Sequence, residues 1–359
     1  MSQQINEATT ANPSEAVELS GAPGSPYTRK MLALLRYRNI PYRVLWQGNF
    51  TQKAIADRVP YPKPKVSLLP TFYFPDDTGT LQAVTDSSPI LRRLEDSHKG
   101  RSVIPTDSVL AFLNWLLEDY ADEWLTKSMF HYRWHYAADI EKAGSILPRW
   151  HAIDASDEEI APLSKMVSER QIARLSYVGS NETTKPTIEA SFRRFLTLFN
   201  AHLQTQTFSF GARPASADFA IYGQMTQLAL FDPTPAQIVI QDFPRVYAWV
   251  EAMEVLSGLP VEETDWMAGD TASETLTALM GELASLYLPY LKANAAAVAS
   301  GAELMETELD GRAWTQNPFT YQAKCLHWIG EQYAALSDAD KTRLADITAG
   351  SGLVDALSD

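Results

Sequence analysis

The sequence predicts an α/β unit followed by a wholly helical one, with further helices towards the C-terminal end. Over residues 16–100, apolar runs of strand length alternate with helical stretches, each bounded by Gly, Pro or Asn. From Pro105 onward, apolar residues instead recur at three- and four-residue spacing with few breaks. At 359 residues the chain exceeds the usual length of one domain. The expected division is a disordered tail over 1–15, an α/β domain over 16–100, a helical domain over 105–258 and a helical extension over 272–359.

Each element has a local reason. Ala16-Val17-Glu18-Leu19 reads as a strand, and Ser20 to Gly24 as a loop. Pro26 suits a first helical turn, where the amide it lacks has no intrahelical partner, and this makes Ser25 the N-cap. Met31, Leu32, Leu34 and Leu35 supply a buried stripe, which Asn39-Ile40-Pro41 ends. Tyr42-Arg43-Val44-Leu45 returns as a parallel strand. A short helix over 51–59 and a loop of Pro60, Pro62 and Pro64 lead to Leu69-Pro70. Thr71-Phe72-Tyr73-Phe74 and Leu81-Gln82-Ala83-Val84 form a hairpin about Asp76-Asp77-Thr78-Gly79. Asp86-Ser87-Ser88-Pro89 opens the next helix, with Ser88 expected as cap and Pro89 at its first position.

The apolar periodicity of residues 107–142 predicts a long helix with a bend. Further helices are expected over 157–178, 185–205, 216–230 and 243–257. Two or three more fall in 272–359, one marked by Leu276, Leu279, Leu283, Leu286 and Tyr290, another by Tyr321, Cys325, Trp328 and Ile329.

Composition excludes several functions. A net charge of −14 argues against nucleic acid and anionic membrane surfaces as partners. No apolar run is long enough to span a bilayer, and the first 15 residues lack a secretory pattern, so a cytoplasmic location is expected. Cys325 is the only cysteine, which rules out an internal disulfide, a thiolate metal cluster and a Cys-x-x-Cys redox pair. His131 and His135 stand one helical turn apart as a metal pair would, but no third ligand accompanies them, so no metal is expected. Glu118, Asp119, Asp122 and Glu123 read as a solvated face or local salt bridges.

Ser25 would place a hydroxyl oxygen beside free amides at the positive end of a helix, where an anion such as a thiolate can sit. Alone, it equally reads as an ordinary cap, and so does Asp86-Ser87-Ser88. Five local patterns occur in order: Ser25-Pro26-Tyr27-x-Arg29-Lys30, Asn39-Ile40-Pro41-Tyr42, Leu69-Pro70, Asp86-Ser87, and Gly211-x-x-Pro214-x-x-Ala217-Asp218-Phe219. Together they resemble the cytosolic glutathione transferase superfamily over about residues 16–258, with the serine start most similar to its tau and omega classes.

The resemblance implies a thioredoxin-like glutathione-binding domain followed by an all-helical domain. It implies that Ser25 contacts the glutathione sulfur, that the Leu69 backbone before a cis Pro70 meets the cysteinyl part, and that Asp86 and Ser87 hold the γ-glutamyl end. It also implies glutathione as co-substrate, a small hydrophobic electrophile as second substrate, and a homodimer. Tyr27, Tyr120, Trp124, Phe130, His131 and Trp134 are candidates to line the second-substrate pocket, with core packing as their other fate. Serine cannot form a mixed disulfide, so Ser25 points to thiolate stabilisation rather than thiol exchange.

The chain also departs from the family pattern. Ala215 stands where a serine or threonine usually caps the helix of the buried aspartate, and Ser216 is expected to shift that cap by one. The run Lys65-Val66-Ser67-Leu68 before Leu69-Pro70 is long, which leaves Lys53 or Lys65 as alternative partners for the glycyl carboxylate. The extension has no counterpart in ordinary members. A transferase-like binding or scaffold protein, and a glutathione-dependent isomerase or peroxidase, therefore stand as alternatives to a transferase.

Overall fold

The computed structural model describes residues 16–46, 61–269 and 273–358. The expected tail, the helix over 51–59 and Lys53 lie outside the described residues.

The first layer is a mixed sheet with helices packed on it. Strand β1 (Val17–Gly21) leads to helix α1 (Pro26–Tyr37) and strand β2 (Tyr42–Trp46); β3 (Thr71–Pro75) and β4 (Leu81–Val84) precede helix α2 (Ser87–Ser97). The sheet order is β2-β1-β3-β4, with β1 parallel to β2 and antiparallel to β3. Leu19, opposite both Val44 and Phe72, is fully buried at the centre of the sheet. The α1 stripe of Met31, Leu32, Leu34 and Leu35 is buried as its spacing required. This is a thioredoxin-like α/β arrangement.

The helical part begins with α3 (Ser108–Tyr120), continues through a π-helical turn (Ala121–Leu125) into α4 (Thr126–His135), and breaks at extended Tyr136 before α5 (Ala137–Arg149). The expected bend in the long helix is therefore a π turn followed by a true break. Helices α6 (Asp157–Ile172), α7 (Lys185–His202), α8 (Ser216–Met225), α9 (Pro233–Asp242) and α10 (Pro244–Met253) follow. Helix α9 was not among the expected helices; Pro233 and Pro235 both fall in its first turn, where a missing amide costs little.

Helices α1 and α8 cross closely, which joins the two parts. A Cβ on Gly223 would lie 2.6 Å from the Pro26 carbonyl oxygen and 3.0 Å from Lys30 Cβ. At the start of α8, Asp218 Oδ2 accepts from the Ala215 amide at 2.8 Å, while Oδ1 accepts from the Ser209 amide and hydroxyl. The expected cap shift to Ser216 does not occur. Ser216 Oγ donates to Glu118 Oε2 at 2.6 Å, and Asn114 Oδ1 caps the Ala217 amide from the neighbouring α3. A side chain distant in sequence thus replaces the missing hydroxyl of Ala215.

Beyond residue 273 come α11 (Glu274–Glu282), a π turn (Leu283–Tyr287) and α12 (Leu288–Ser300). A hairpin of β5 (Met305–Leu309) and β6 (Arg312–Gln316) follows, then α13 (Thr320–Ala335), α14 (Asp338–Ile347) and α15 (Leu353–Ser358). The hairpin corrects an all-helical expectation. Its signal was Asp310-Gly311, both left-handed at φ 56° and 69°, the pairing that a two-residue hairpin turn demands. This segment runs along α3. Tyr287 donates to Asp119 at 2.5 Å, Gln322 to Glu123 at 2.9 Å and Arg343 to Asp107 at 2.6 Å, while the Tyr333 ring tilts against Phe112. No described helix is long and apolar enough to cross a membrane.

Candidate active site

Ser25 is the N-cap of α1, in extended conformation, and its Oγ accepts from the Thr28 amide at 3.2 Å. The same hydroxyl donates to the Leu69 carbonyl at 3.2 Å, across 44 residues of sequence. Leu69-Pro70 is a cis peptide. The cap of the first helix and the turn before the third strand are thus pinned together. A hydroxyl has one proton and two lone pairs, so Ser25 can release Leu69 and donate to an incoming anion while still capping Thr28.

The helical part holds the loop before Ser25. Arg133, buried and bidentate on Asp232 (2.9 Å), donates to the Gly24 carbonyl at 3.0 Å and to Gln227 Oε1 at 2.7 Å. Gln227 Nε2 and Arg29 Nε both donate to the Pro23 carbonyl. Trp150 closes over Gly24, where a Cβ would come within 2.5 Å of its ring. Arg29 also lies 4.0 Å from Glu254, so it acts as a loop and surface-pair residue.

Asp86 takes the cap position of α2 at φ 85°, two residues before the expected Ser88, and makes no cap hydrogen bond with its side chain. Ser88 is not the cap, and Pro89 is the third residue of the helix, where its missing amide still has no intrahelical partner. The Asp86 carboxylate accepts instead from Tyr321 Oη at 2.7 Å. Ser87 is buried, and its Oγ lies 3.4 Å from Lys30 Nζ.

Lys30, fully buried, reaches Asp122 at 2.5 Å and Glu118 at 2.8 Å; Arg92 adds a 2.7 Å bond to Glu118. Burial pushes the Glu118 carboxyl up, but Arg92 and Lys30 outweigh it and hold the group down at about 2. Asp122 goes the other way: burial, with Glu118 beside it, outweighs Lys30 and raises it to about 6. Of the two expectations for these acids, the local salt bridges hold for Glu118 and Asp122, and the solvated face does not, because Glu118, Asp122 and Glu123 are buried. Glu118 and Asp122 tie α1 and α2 to the long helix. Burial raises Asp119 to about 7, and burial plus Asp119 raises Glu123 to about 8. The signal available in sequence was one basic residue in α1 facing acids four apart on an otherwise apolar helix.

The remaining candidates are spread out. Tyr27 donates to the Asp122 carbonyl at 2.7 Å, on the inter-domain side of α1. Tyr120 packs on Phe195 and Tyr287; Trp124 donates to Ser191 and packs on Tyr290 and Trp314. His131 bonds Ser180 at 2.7 Å and Glu189 at 3.2 Å. Tyr120, Trp124 and His131 are 0–1% exposed, covered by the C-terminal segment and α7. Trp134 is buried too, and Phe130 is half-buried against it. His131 and His135 stack, but no group of three metal-ligating side chains forms among the described residues. Lys65 is exposed.

Two family models match the chain: the glutathione S-transferase N-terminal domain over residues 19–102 and the glutathione S-transferase C-terminal domain over residues 165–252. No curated protein matches it. Similar solved structures include a glutathione transferase family member from Pseudomonas fluorescens Pf-5 with two glutathione bound, 16% identical over 68% of this chain and 90% of that one, TM-score 0.37. Others are FzlA from C. crescentus, 16% identical over 66% and 87%, TM-score 0.38, and maleylacetoacetate isomerase from Anaeromyxobacter dehalogenans with bound dicarboxyethyl glutathione and citrate, 15% identical over 67% and 84%, TM-score 0.35. With the α/β unit on residues 19–102 and the helical unit carrying residues 165–252, the chain has the two-domain build of the glutathione S-transferase superfamily.

Proposed function

We propose that the chain binds glutathione along the Ser25, Leu69, Asp86 and Ser87 edge and activates its thiol for attack on a hydrophobic electrophile. The observation that carries this reading is the Ser25–Leu69 hydrogen bond, which makes the helix cap and the cis-proline turn one continuous surface. The tripeptide sulfur would take the Ser25 hydroxyl from the Leu69 carbonyl. The cysteinyl backbone would pair with Leu69, the γ-glutamyl ammonium with Asp86, and the γ-glutamyl carboxylate with Ser87 and the first amides of α2.

Lowering a thiol pKa from about 8.5 to about 6.5 takes roughly 2.7 kcal/mol of preference for the thiolate. A charge-assisted hydrogen bond supplies about 1.5–3 kcal/mol and a helix N-terminus about 0.3–1. Ser25 at the head of α1 is therefore sufficient by a narrow margin. Cys325 cannot substitute as a thiolate, because burial, with Asp119 and Glu123 beside it, pushes its thiol far up. On this reading the serine start is most similar to the tau and omega classes, and the protein is a cytoplasmic homodimer, a state that light scattering on the purified chain tests.

A second reading, a glutathione-binding protein with little turnover, is favoured by one feature. The aromatic residues that would line a second-substrate pocket are packed under the C-terminal segment. Isomerase or peroxidase turnover needs the same bound thiolate. A thermal-unfolding series with glutathione tests binding: at about 100 times its Kd, glutathione is expected to stabilise the fold by about 2.7 kcal/mol. An unchanged transition at millimolar glutathione would overturn both readings.

A further inference from the structure

Helix α13, from the C-terminal segment, reaches the very carboxylate that the proposed function assigns to the γ-glutamyl ammonium. Tyr321 Oη lies 2.7 Å from Asp86 Oδ2, although 235 residues separate them. We infer that Tyr321 is a positioning residue of the glutathione site, holding the Asp86 carboxylate so that its other oxygen faces the γ-glutamyl ammonium. The inference rests on the proposed function, which supplies the ligand.

Three features support it. First, Asp86 has no other way of being oriented among the described residues: its side chain makes no cap bond to α2, and its backbone sits at φ 85°. Only Oδ2 is engaged there, which leaves Oδ1 for a cation. Second, α13 is a fixed platform. The residue after Tyr321, Gln322, is buried and donates to Glu123 at 2.9 Å; Tyr333, on the same helix, packs on Phe112 of α3; and Asn294 secures the helix entrance by bonding the Phe319 amide and carbonyl. Third, the Tyr321 ring is held edge-on to Trp328 at 6.0 Å, which fixes where its hydroxyl points. Burial first, and then Glu123 and Asp86, raise the phenol far above its usual range, so it remains a neutral donor. A neutral donor on one oxygen leaves the carboxylate charge intact for the ammonium.

A displaceable latch would have the same contact but the opposite consequence, since the phenol would then compete with the ligand. The anchored helix favours positioning over competition.

The test is titration calorimetry on the full chain with glutathione and with cysteinylglycine, which lacks the γ-glutamyl group. Tyr321→Phe should weaken glutathione binding about tenfold, raise KM without lowering kcat, and leave cysteinylglycine affinity unchanged. Asp86→Asn should remove the effect, so that the double variant is no weaker than Asp86→Asn alone. Equal glutathione affinity in wild type and Tyr321→Phe would overturn the inference while leaving the proposed function standing. Tighter binding by Tyr321→Phe would overturn it in favour of a latch, and an equal loss for both ligands would reduce Tyr321 to a structural role. Absence of glutathione binding by the wild type would overturn both the inference and the reading it rests on.

Discussion

Ser25 does two jobs with one oxygen: it caps α1 through the Thr28 amide and donates to the Leu69 carbonyl. Ser25→Ala removes both bonds, and thermal unfolding is expected to show a loss of about 1 kcal/mol, the usual cost of a lost N-cap. A variant as stable as wild type would mean that the cap is replaced locally. The serine and its proline were legible in sequence because capping is a local rule. Asp86 was legible as a residue but not in its partner, since nothing near position 86 announces Tyr321. Lys30 was in view from the start, yet its burial follows only from the acids that α3 and the π turn after it bring to it. Local chemistry can be read from neighbours in the chain, whereas a buried ion pair is fixed by packing.

At the scale of elements, two glycines separate steric from backbone constraint. Gly223 lies where α1 and α8 cross, and an added methyl meets the Pro26 carbonyl oxygen at 2.6 Å. Gly223→Ala is expected to cost about 1–3 kcal/mol by overpacking, read by denaturant unfolding. Because Pro26 follows Ser25, the same variant should weaken glutathione binding; unaltered stability would show that the crossing can open without loss. Gly311 has nothing near its would-be Cβ, but its φ of 69° disfavours any side chain. Gly311→Ala should therefore cost only about 1 kcal/mol, with no change in ligand affinity.

The β-α-β start, the β3–β4 hairpin and most helices were legible because each carries its own period and its own stop signals. The β5–β6 hairpin escaped because Asp310-Gly311 lies in a segment whose flanking leucine and alanine periodicity is helical. Of the π turns, the one at Ala121–Leu125 falls where a bend was expected, whereas those at Thr226–Phe231 and Leu283–Tyr287 were not anticipated.

At the scale of the molecule, the C-terminal segment is welded to α3, the π turn after it and α4 through groups that prefer to be neutral. Burial raises Asp119 to about 7 and Glu123 to about 8, and it lowers Lys127 to about 7. For the two acids, the folded chain retains protons that the unfolded chain has lost above about pH 4. Their contribution is complete below that pH and is lost as pH rises through about 7 and 8. Lys127 has the opposite sign, favouring the folded state increasingly from about pH 7 upward, so the acids dominate between pH 5 and 7. Glu123→Gln keeps an acceptor for Gln322 but no longer titrates. Its unfolding temperature relative to wild type is expected to rise steadily from pH 5 to pH 7, whereas parallel curves would show that Glu123 is not strained by burial.

The same weld explains what the sequence hid about function. The proposed glutathione edge was drawn from short local patterns, whereas a helix more than 200 residues away reaches its Asp86, and the π turn, α12 and β6 of the same segment cover Tyr120 and Trp124, once expected to line a pocket. The central claim, that Ser25 stabilises a glutathione thiolate, is tested most directly by titrating the ultraviolet absorbance of bound glutathione against pH in wild type and Ser25→Ala. The account predicts a bound thiol pKa of about 6.5 in wild type and a return toward about 8.5 in the variant. Equal values in the two proteins would contradict it.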